Sequence, residues 1–433
     1  MALLGAQLVI TLIIISLIQK LGHHFSFGRW LLCSTGLIRY LYPTDDTLRE
    51  LAHIPKEKPA KRNKIYENGK QKTFHIPKDL EFELETAKIS VLDVIHLKYY
   101  TEYQWLLDFA VYAAIVYTLT EVYKSFYSIE NEINLSIIWC TLIVGYALKI
   151  LLSLTIQYFR SDESIGERSA CIVMGFIYLL IAMIFLIINE NVLELGLEKA
   201  YSSFNRTAST FINTQNIKST GPASKIVLKF FISVWCAILG TIFTFPGLRT
   251  GRMHCDLLKS LQDTKLVYAI VNLSFAMPLI LIVLWIKPLA RDNLTVRTFG
   301  ERTDPIMSTE TFDSLRIILI VVTFVIKICL TPKYLQAYLD MAGRRIKELR
   351  KEAGRITNID LQKKIAAVFY YLCVATIQYI APIIVCLYLA LMYKTLGKFN
   401  WFSWTVPSDE CPLDGSGENS SEEELNSSDE NLN

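Results

Sequence analysis

The stretch IVLKFFISVWCAILGTIFTF, residues 226–245, decides the fold class of this chain, because twenty consecutive residues carry a single charge. A helix needs about 20 predominantly apolar residues to cross the hydrocarbon core of a bilayer. The run lacks the apolar–polar alternation of a barrel strand, and a lipid-exposed backbone must satisfy its own hydrogen bonds. We therefore predict that this stretch crosses a membrane as an α-helix.

Seven further stretches have a similar composition, so we expect an all-α, polytopic membrane bundle of about eight transmembrane helices. Hydrophobic residues make up 52% of the 433-residue chain and charged residues only 20%. A large soluble core would have to bury eight such runs with very little amphipathic covering. The predicted spans are residues 2–18, 104–120, 133–159, 169–188, 226–245, 266–286, 313–330 and 365–392.

The spans divide the chain into an expected order of segments. No basic residue precedes the first apolar run, which argues against a signal peptide and for an uncleaved first helix. The expected segments are a first transmembrane helix (1–20), a basic polar loop (21–103), transmembrane helices 2–4 (104–188), a lumenal loop (189–225), transmembrane helices 5–7 (226–330), a basic amphipathic cytosolic segment (331–364), transmembrane helix 8 (365–397) and an acidic disordered tail (398–433).

Charge and sequence motifs predict the orientation of the helices. With the N-terminus outside, the connections 160–168, 246–265 and 331–364 face the cytosol and carry more Lys and Arg than the opposite connections do. Arg249, which follows Pro246 and Gly247, is expected to end a helix at the cytosolic headgroups. The Asn-X-Ser/Thr motifs on the opposite side predict a glycoprotein. The candidate N-glycosylation sites are Asn205, Asn293, Asn419 and Asn426.

A heptad stripe of apolar residues runs through residues 335–356, with Arg and Lys on the remaining faces. Such a basic amphipathic helix either lies on the membrane surface, pairs with a partner helix, or packs against its own bundle. The first two arrangements make the stripe a candidate contact surface. Its candidate residues are Leu335, Leu339, Ile346, Leu349 and Ile356.

Two charged residues, Asp108 and Lys149, lie inside predicted spans at positions where snorkelling to the interface explains them poorly. Both fall in the cytosolic half of adjacent antiparallel helices, so they are a candidate intramembrane pair. The two residues either form a structural ion pair, belong to an ion or proton pathway, or do not pair. Pro278 and Pro382 interrupt two other spans, either as simple kinks or as the broken helices that transporters use. Snorkelling explains Lys229, Lys287, Arg316 and Lys327, which lie near span ends.

Motifs for enzymatic chemistry are missing from the sequence, including HExxH, GxSxG, the P-loop and GxGxxG. Six of the nine cysteines fall inside predicted spans, and the other three show no paired spacing. We therefore expect no catalytic residues, no cofactor and no metal site.

Nine short strings, in order along the chain, resemble the transmembrane protein 161 family. They are FGRWLLC (27–33), EYQWLLDFAVY (102–112), GERS (166–169), TFPGLR (244–249), KPLAR (287–291), FDSLR (312–316), LQAYL (335–339), EAGRI (352–356) and KTLG (394–397). The resemblance implies a multi-pass protein without an established enzymatic activity. It also implies an association with cation currents and cardiac rhythm.

We interpret the chain as a multi-pass membrane protein without catalytic activity that influences cation currents and membrane excitability as an accessory or regulatory component. Its expected partners are the lipid bilayer and a channel or pump subunit, with no nucleic acid. The expected location is the plasma membrane or an endomembrane, and the oligomeric state stays open. The alternatives are an ion or proton transporter or channel that uses Asp108 and Lys149, and a membrane enzyme acting on lipid.

Overall fold

The computed structural model describes residues 6–22, 24–51, 75, 84–126, 135–160, 165–188, 190–214, 224–261, 264–297, 305–351, 357–397, 399 and 401. These residues are mainly helical, as the sequence predicts. The elements are α1 (Ala6–Leu21), α2 (Phe27–Cys33), β1 (Ile38–Tyr40), α3 (Asp45–Leu51), β2 (Thr86–Lys88), α4 (Val91–Ile95), α5 (Tyr100–Phe126), α6 (Leu135–Arg160), α7 (Ile165–Ile187), α8 (Leu197–Thr214), α9 (Lys225–Ser260), α10 (Lys265–Val283), α11 (Arg291–Thr295), α12 (Thr309–Leu339), α13 (Met341–Lys351), α14 (Asn358–Tyr370) and α15 (Leu372–Leu396).

Seven helical segments in the described chain are long and apolar enough to cross a membrane. They comprise α5, α6, α7, α9, α10, α12 continuing into α13, and α14 continuing into α15. Helix α1, with sixteen residues, occupies the place of the predicted first span. The all-α membrane class and a number of spans close to eight are therefore confirmed.

Spans that follow each other in the chain run antiparallel, and they pack closely where glycines allow it. Gly175 of α7 faces Thr241 of α9, and Gly240 of α9 faces the ring of Tyr178. A Cβ at Gly240 would lie 2.7 Å from that ring, so a larger residue would push the two helices apart. Helices α12 and α15 are also antiparallel, and the rings of Tyr334 and Tyr379 meet between them with centroids 4.9 Å apart and a tilt of 31°.

The alternation of the spans gives the bundle two ends. We call the end that carries α2, α3, α4, α13, α14 and the strand pair the sheet end, and the end that carries α8 and α11 the α8 end. The orientation predicted above would place the sheet end in the cytosol.

Helix α15 forms the centre of the bundle and packs against α5, α6, α9 and α12. In the apolar stretch of the last span, 78% of the residues are buried, compared with 11% for α7. Apolarity does not cause this difference, because α7 is the more apolar of the two helices and its outer faces are suited to contact lipid. The bundle therefore consists of a packed centre with α7 at its periphery.

The sheet end contains folded structure within the segment predicted as a basic polar loop. Strands β1 and β2 pair antiparallel, with Ile38 opposite Lys88. The side-chain amide of Gln336, near the end of α12, binds both backbone groups of Ile38. Asp45 at the start of α3 accepts hydrogen bonds from Asn358 and Gln362 of α14. These contacts tie the strand pair and α3 to the last two spans.

Candidate functional site: polar clusters at the two ends of the bundle

Asp108 is a cap for helix α2 in this structure. One carboxylate oxygen of Asp108 accepts a hydrogen bond from the Ser26 hydroxyl at 2.7 Å, and the other accepts from the Gly28 amide at 3.0 Å. Ser26 is itself the N-cap of α2. A carboxylate is favoured there because the first amides of a helix lack intrahelical partners and carry partial positive charge. The Tyr103 hydroxyl donates to the Gly28 carbonyl at 2.9 Å and holds α2 against α5.

The predicted pairing partner of Asp108, Lys149, lies elsewhere. Lys149 is exposed on α6. The two residues are both described, and the structure does not bring them together as an ion pair. The actual partners of Asp108 lie about 80 positions earlier in the chain, in a short helix that the spacing of the spans does not reveal.

Four of the described spans contain a proline inside a continuous helix. Pro278 and Pro382 lie inside α10 and α15 as the sequence predicts, and Pro332 lies inside α12. The expectation that α9 ends near Arg249 after Pro246 is wrong, because α9 continues through Pro246 to Ser260. The Thr250 hydroxyl, one turn later, donates to the Pro246 carbonyl at 2.8 Å.

Arg316 is the centre of an ion-pair cluster at the α8 end. Its side chain is only 2% exposed and makes salt bridges to Glu194, at 3.1 Å, and to Asp313. Arg291 of α11 makes a salt bridge to the same Glu194. The Arg316 guanidinium also lies 4.5 Å from the ring centroid of Trp285. Arg316 is therefore held inside the protein by two carboxylates and an aromatic ring, and the explanation by snorkelling is wrong.

A second ion pair, Lys394 with Glu121, joins α15 to α5 at the same end. Both side chains are mostly buried, and the Trp401 indole donates to the same carboxylate at 3.2 Å. Tyr393 packs edge-on against Trp285 with ring centroids 5.4 Å apart, which connects this pair to the Arg316 cluster. The α8 end is thus crosslinked by charges of both signs.

Three basic side chains lie near two tyrosine rings at the sheet end. Arg249 of α9 lies over the ring of Tyr338 of α12, 5.9 Å from its centroid. Arg249 and Arg345 of α13 are both close enough to the Tyr338 hydroxyl to act on it electrostatically. Lys98 lies over the Tyr371 ring at 5.3 Å. We call Lys98, Arg249, Arg345, Tyr338 and Tyr371 the Arg249 cluster.

His254, one and a half turns after Arg249, belongs to an aromatic group between α9, α10 and α12. Its ring stacks on Phe275 with centroids 4.0 Å apart, and its Nδ1 lies 3.1 Å from the Tyr334 hydroxyl. Lys327 of α12 is close enough to act electrostatically on His254. The Tyr379 hydroxyl donates to the Lys327 carbonyl at 3.3 Å. His254, Tyr334, Lys327 and Tyr379 thus form a connected group of polar side chains on three spans. Lys327 alone among them was noted from the sequence, as a residue near a span end.

Outside the spans, a capping box orders the sheet end. Asp93 of α4 accepts from both the amide and the hydroxyl of Ser90, and it makes a 2.9 Å salt bridge to Arg39 of β1. Partial burial alone would raise the pKa of Asp93, but the Ser90 hydrogen bonds and the Arg39 charge together lower it. Burial and the neighbouring Asp340 carboxylate raise the pKa of Tyr40.

The apolar stripe is divided between two helices. Leu335 and Leu339 close α12, and Ile346 lies in α13 after the C-cap at Asp340. All three side chains are buried in the core of the chain. The side chain of Leu349 and the whole of Ile356 lie outside the described structure. The described part of the stripe therefore packs against its own bundle, which was one of the arrangements left open.

Two of the four predicted glycosylation sites fall within the described residues. Asn205 is exposed on α8, an amphipathic helix in which no residue is buried. Asn293 in α11 donates to the Leu289 carbonyl at 3.0 Å and accepts from Arg297. Asn419 and Asn426 lie outside the described residues. In the part of the chain that the structure describes, no group of three His, Cys, Asp or Glu side chains could hold a metal ion.

The fold and its clusters define a class: a polytopic α-helical membrane protein with a buried central helix and polar side chains gathered at both ends of the bundle. A family model described as predicted transmembrane protein 161AB matches residues 2–433. The chain therefore belongs to this family, as the short strings indicated. No solved structure matches the chain.

Proposed function

We propose that this protein is a non-catalytic membrane component that influences cation currents and membrane excitability through a channel or pump partner in the bilayer. The observation that carries the proposal is the packed centre of the bundle. Helix α15 occupies the position where a conducting bundle has its pathway, and it is surrounded there by α5, α6, α9 and α12. A regulator needs no pathway of its own.

The charges of the spans support the same proposal. Asp108 caps α2, Glu121 binds Lys394, and Arg316 binds Glu194 and Asp313. Each of these groups is engaged in a contact between two elements of the fold, so none of them is free to line a pathway.

The periphery of the bundle offers surface for a partner. Helix α7 exposes Phe176, Leu180 and Ile184 at four-residue spacing, so they form one continuous apolar face. Lipid or a transmembrane helix of a channel can cover such a face equally well, since helix association in lipid depends on close packing.

The experiment that tests the proposal has two arms. The purified protein is reconstituted in liposomes and screened for movement of K⁺, Na⁺, Ca²⁺ and H⁺, with an ionophore as the positive control. Cation currents are then recorded from cells that lack the protein, before and after it is restored. We expect no flux in liposomes and a restored current in cells. Flux from the folded, purified protein would overturn the proposal, and so would currents that are unchanged on restoration.

A second candidate function, ion or proton transport, is favoured by the connected polar side chains of His254, Tyr334 and Lys327. Here an ionisable side chain on α12 lies within electrostatic reach of an imidazole on α9. The liposome experiment decides between the two candidates. Flux that Lys327→Gln abolishes, without loss of folding, would support transport. The matched control is Lys199→Gln, on the exposed helix α8.

A further inference from the structure

The starting observation is a buried guanidinium nitrogen without a partner. Three of the six buried, unpartnered side-chain atoms in the described chain belong to residues whose other atoms form salt bridges, namely Arg39, Glu121 and Arg316. Arg249 differs, because its Nη1 is buried without a hydrogen bond and the structure shows no salt bridge for this side chain within the described residues. An unsatisfied buried donor on a charged group is destabilising, so a ligand that moves in to accept a hydrogen bond from it is favoured.

A second unpartnered atom lies close to the same place. Gln378 of α15 is 1% exposed; its amide nitrogen lies 3.3 Å from the Tyr158 hydroxyl of α6, and its Oε1 has no partner. Tyr158 packs on Phe245 with ring centroids 4.4 Å apart, and Phe245 lies one turn before Arg249 on the same face of α9. Two unpartnered polar atoms, one on α9 and one on α15, are therefore connected here through the packed rings of Tyr158 and Phe245.

Among the described residues, the charge at this point is positive and no carboxylate forms a salt bridge with Arg249. Lys98, Arg249 and Arg345 approach from three different elements around the rings of Tyr338 and Tyr371. The nearest described carboxylates on the same helices are bound elsewhere. Asp256 forms a 2.7 Å salt bridge to Arg344, and Asp340 accepts from Tyr40 and Gln336. An anion is the ligand that such a cluster favours.

The depth of the cluster identifies the anion. Arg249 follows directly after the apolar run 226–245, which is long enough to cross the hydrocarbon core. Its guanidinium therefore lies where a bilayer presents its phosphates, and tyrosines are enriched at that level. Arginine binds phosphate through two parallel hydrogen bonds, which a mobile small anion and a lipid headgroup can both accept.

We propose that the Arg249 cluster binds the phosphate group of an anionic phospholipid in the leaflet at the sheet end. Arg249 and Arg345 donate to the phosphate, Lys98 adds charge, and the Tyr338 and Tyr371 rings flank the headgroup. The bound lipid would bridge α9, α12, α13 and the start of α15. This proposal does not depend on the proposed influence on cation currents.

The test uses the full-length protein purified in a mild neutral detergent. Its thermal unfolding is followed by intrinsic fluorescence while phosphatidylinositol 4-phosphate, phosphatidylserine, phosphatidylcholine or inorganic phosphate is added. We expect stabilisation by the two anionic lipids, little effect of phosphatidylcholine, and little effect of inorganic phosphate at the same concentration. Each cation near a membrane surface contributes about 1 kcal/mol, which is roughly fivefold in affinity. The double variant Arg249→Met, Arg345→Gln should therefore bind anionic lipid more than tenfold more weakly.

A matched control is Arg206→Gln on the exposed helix α8, which should bind anionic lipid as the wild type does. If the double variant fails to fold, Lys98→Gln replaces it, with an expected loss of about fivefold. Equal binding by the cluster variants and the wild type would overturn the proposal. Equal stabilisation by inorganic phosphate would also overturn it, because the cluster would then be a free-anion site.

Discussion

Two arginines at opposite ends of the bundle, Arg316 and Arg249, have similar settings and different partners. Each lies where an apolar span begins or ends, and each guanidinium lies over an aromatic ring, at 4.5 Å for Arg316 and 5.9 Å for Arg249. Arg316 has two carboxylates beside it, Glu194 and Asp313. Arg249 has a buried nitrogen with no acceptor.

This difference indicates that Arg316 contributes to the stability of the folded protein and Arg249 to the binding of a ligand. An arginine that the protein neutralises itself crosslinks its helices, and removing it leaves carboxylates without a counter-charge. An arginine that the protein leaves unneutralised contributes little to the folded state and much to a ligand that supplies the missing charge. Substitution of Arg316 should therefore reduce stability in any solvent, whereas substitution of Arg249 should matter mainly when anionic lipid is present.

The largest effect is expected for Arg316→Met. The substitution keeps most of the apolar stem but removes the more buried of the two arginines that pair with Glu194 and Asp313, so that Arg291 alone balances these two carboxylates. We expect a loss of about 3 kcal/mol in the free energy of unfolding. Thermal or denaturant unfolding of the purified protein in detergent measures the change. Arg206→Met on α8 is the control and should stay within about 0.5 kcal/mol of the wild type. An Arg316→Met protein as stable as that control would remove the basis of the comparison.

The second largest effect is expected for Asp108, which caps helix α2. Asp108→Ala removes the acceptor for the Ser26 hydroxyl and the Gly28 amide, so we expect a loss of about 2 kcal/mol, since hydrogen bonds to charged groups contribute about 1.5–3 kcal/mol. Hydrogen exchange should accelerate selectively in α2. Lys149→Ala, at the exposed residue first considered as its partner, should leave exchange in α2 unchanged. Equal effects of the two substitutions would instead support a coupling between Asp108 and Lys149.

The contrast between these residues shows what the sequence could predict. The spans can be predicted from the sequence alone, because a helix that crosses a bilayer needs a continuous apolar run. No information from elsewhere in the chain is required. The resemblance of short strings likewise led to the correct family. The helix ends were less accurate, and α9 was expected to end near Arg249, after Pro246 and Gly247, because a proline removes one backbone hydrogen bond. A single lost bond did not end the helix.

Partners of polar residues could not be predicted in the same way. Asp108 meets Ser26 and Gly28 about 80 positions away, and Arg316 meets Glu194 across 122 positions. Periodicity within one helix carries no information about such distant contacts. The choice of Lys149 followed from the pairing of adjacent spans, but α2, too short to be noticed as a helix, lies beside Asp108. For Gln378 the sequence holds one signal, an amide one turn before Pro382 inside an apolar span.

A smaller, pH-dependent effect is expected at the sheet end from Asp93. Its pKa is lower in the folded protein than its ordinary value of 3.8, so its stabilising contribution is present at neutral pH. The contribution should be lost as the pH falls through the folded-state pKa, below about 4. Arg39→Met, which removes the salt bridge, should flatten the decline in thermal stability between pH 5 and pH 3. An unchanged decline would show that Asp93 does not control it.

In contrast to Arg316→Met, Arg249→Met should change the free energy of unfolding of the lipid-free protein by less than about 1 kcal/mol. The substitution removes an unsatisfied buried donor and leaves a side chain that still packs on Tyr338. The measurement is the same unfolding experiment as for Arg316→Met, in neutral detergent. A loss as large as that of Arg316→Met would mean that Arg249 holds the helices together, and the distinction between the two arginines would fail.

The smallest effect on stability, and the one that assigns the ends to compartments, is expected for Asn205→Gln. Asn205 is exposed on α8, where a substitution should change the free energy of unfolding by less than about 0.5 kcal/mol. If the α8 end is lumenal, the wild type expressed in a secretory pathway carries a glycan that an endoglycosidase removes, and Asn205→Gln lacks it. Cysteine labelling in sealed cells supplies the control: a cysteine at Arg206 should react with an impermeant reagent only from the lumenal or extracellular side. Labelling from the cytosol would invert the orientation and would move the proposed lipid site to the opposite leaflet, where anionic phospholipid is scarce in a plasma membrane.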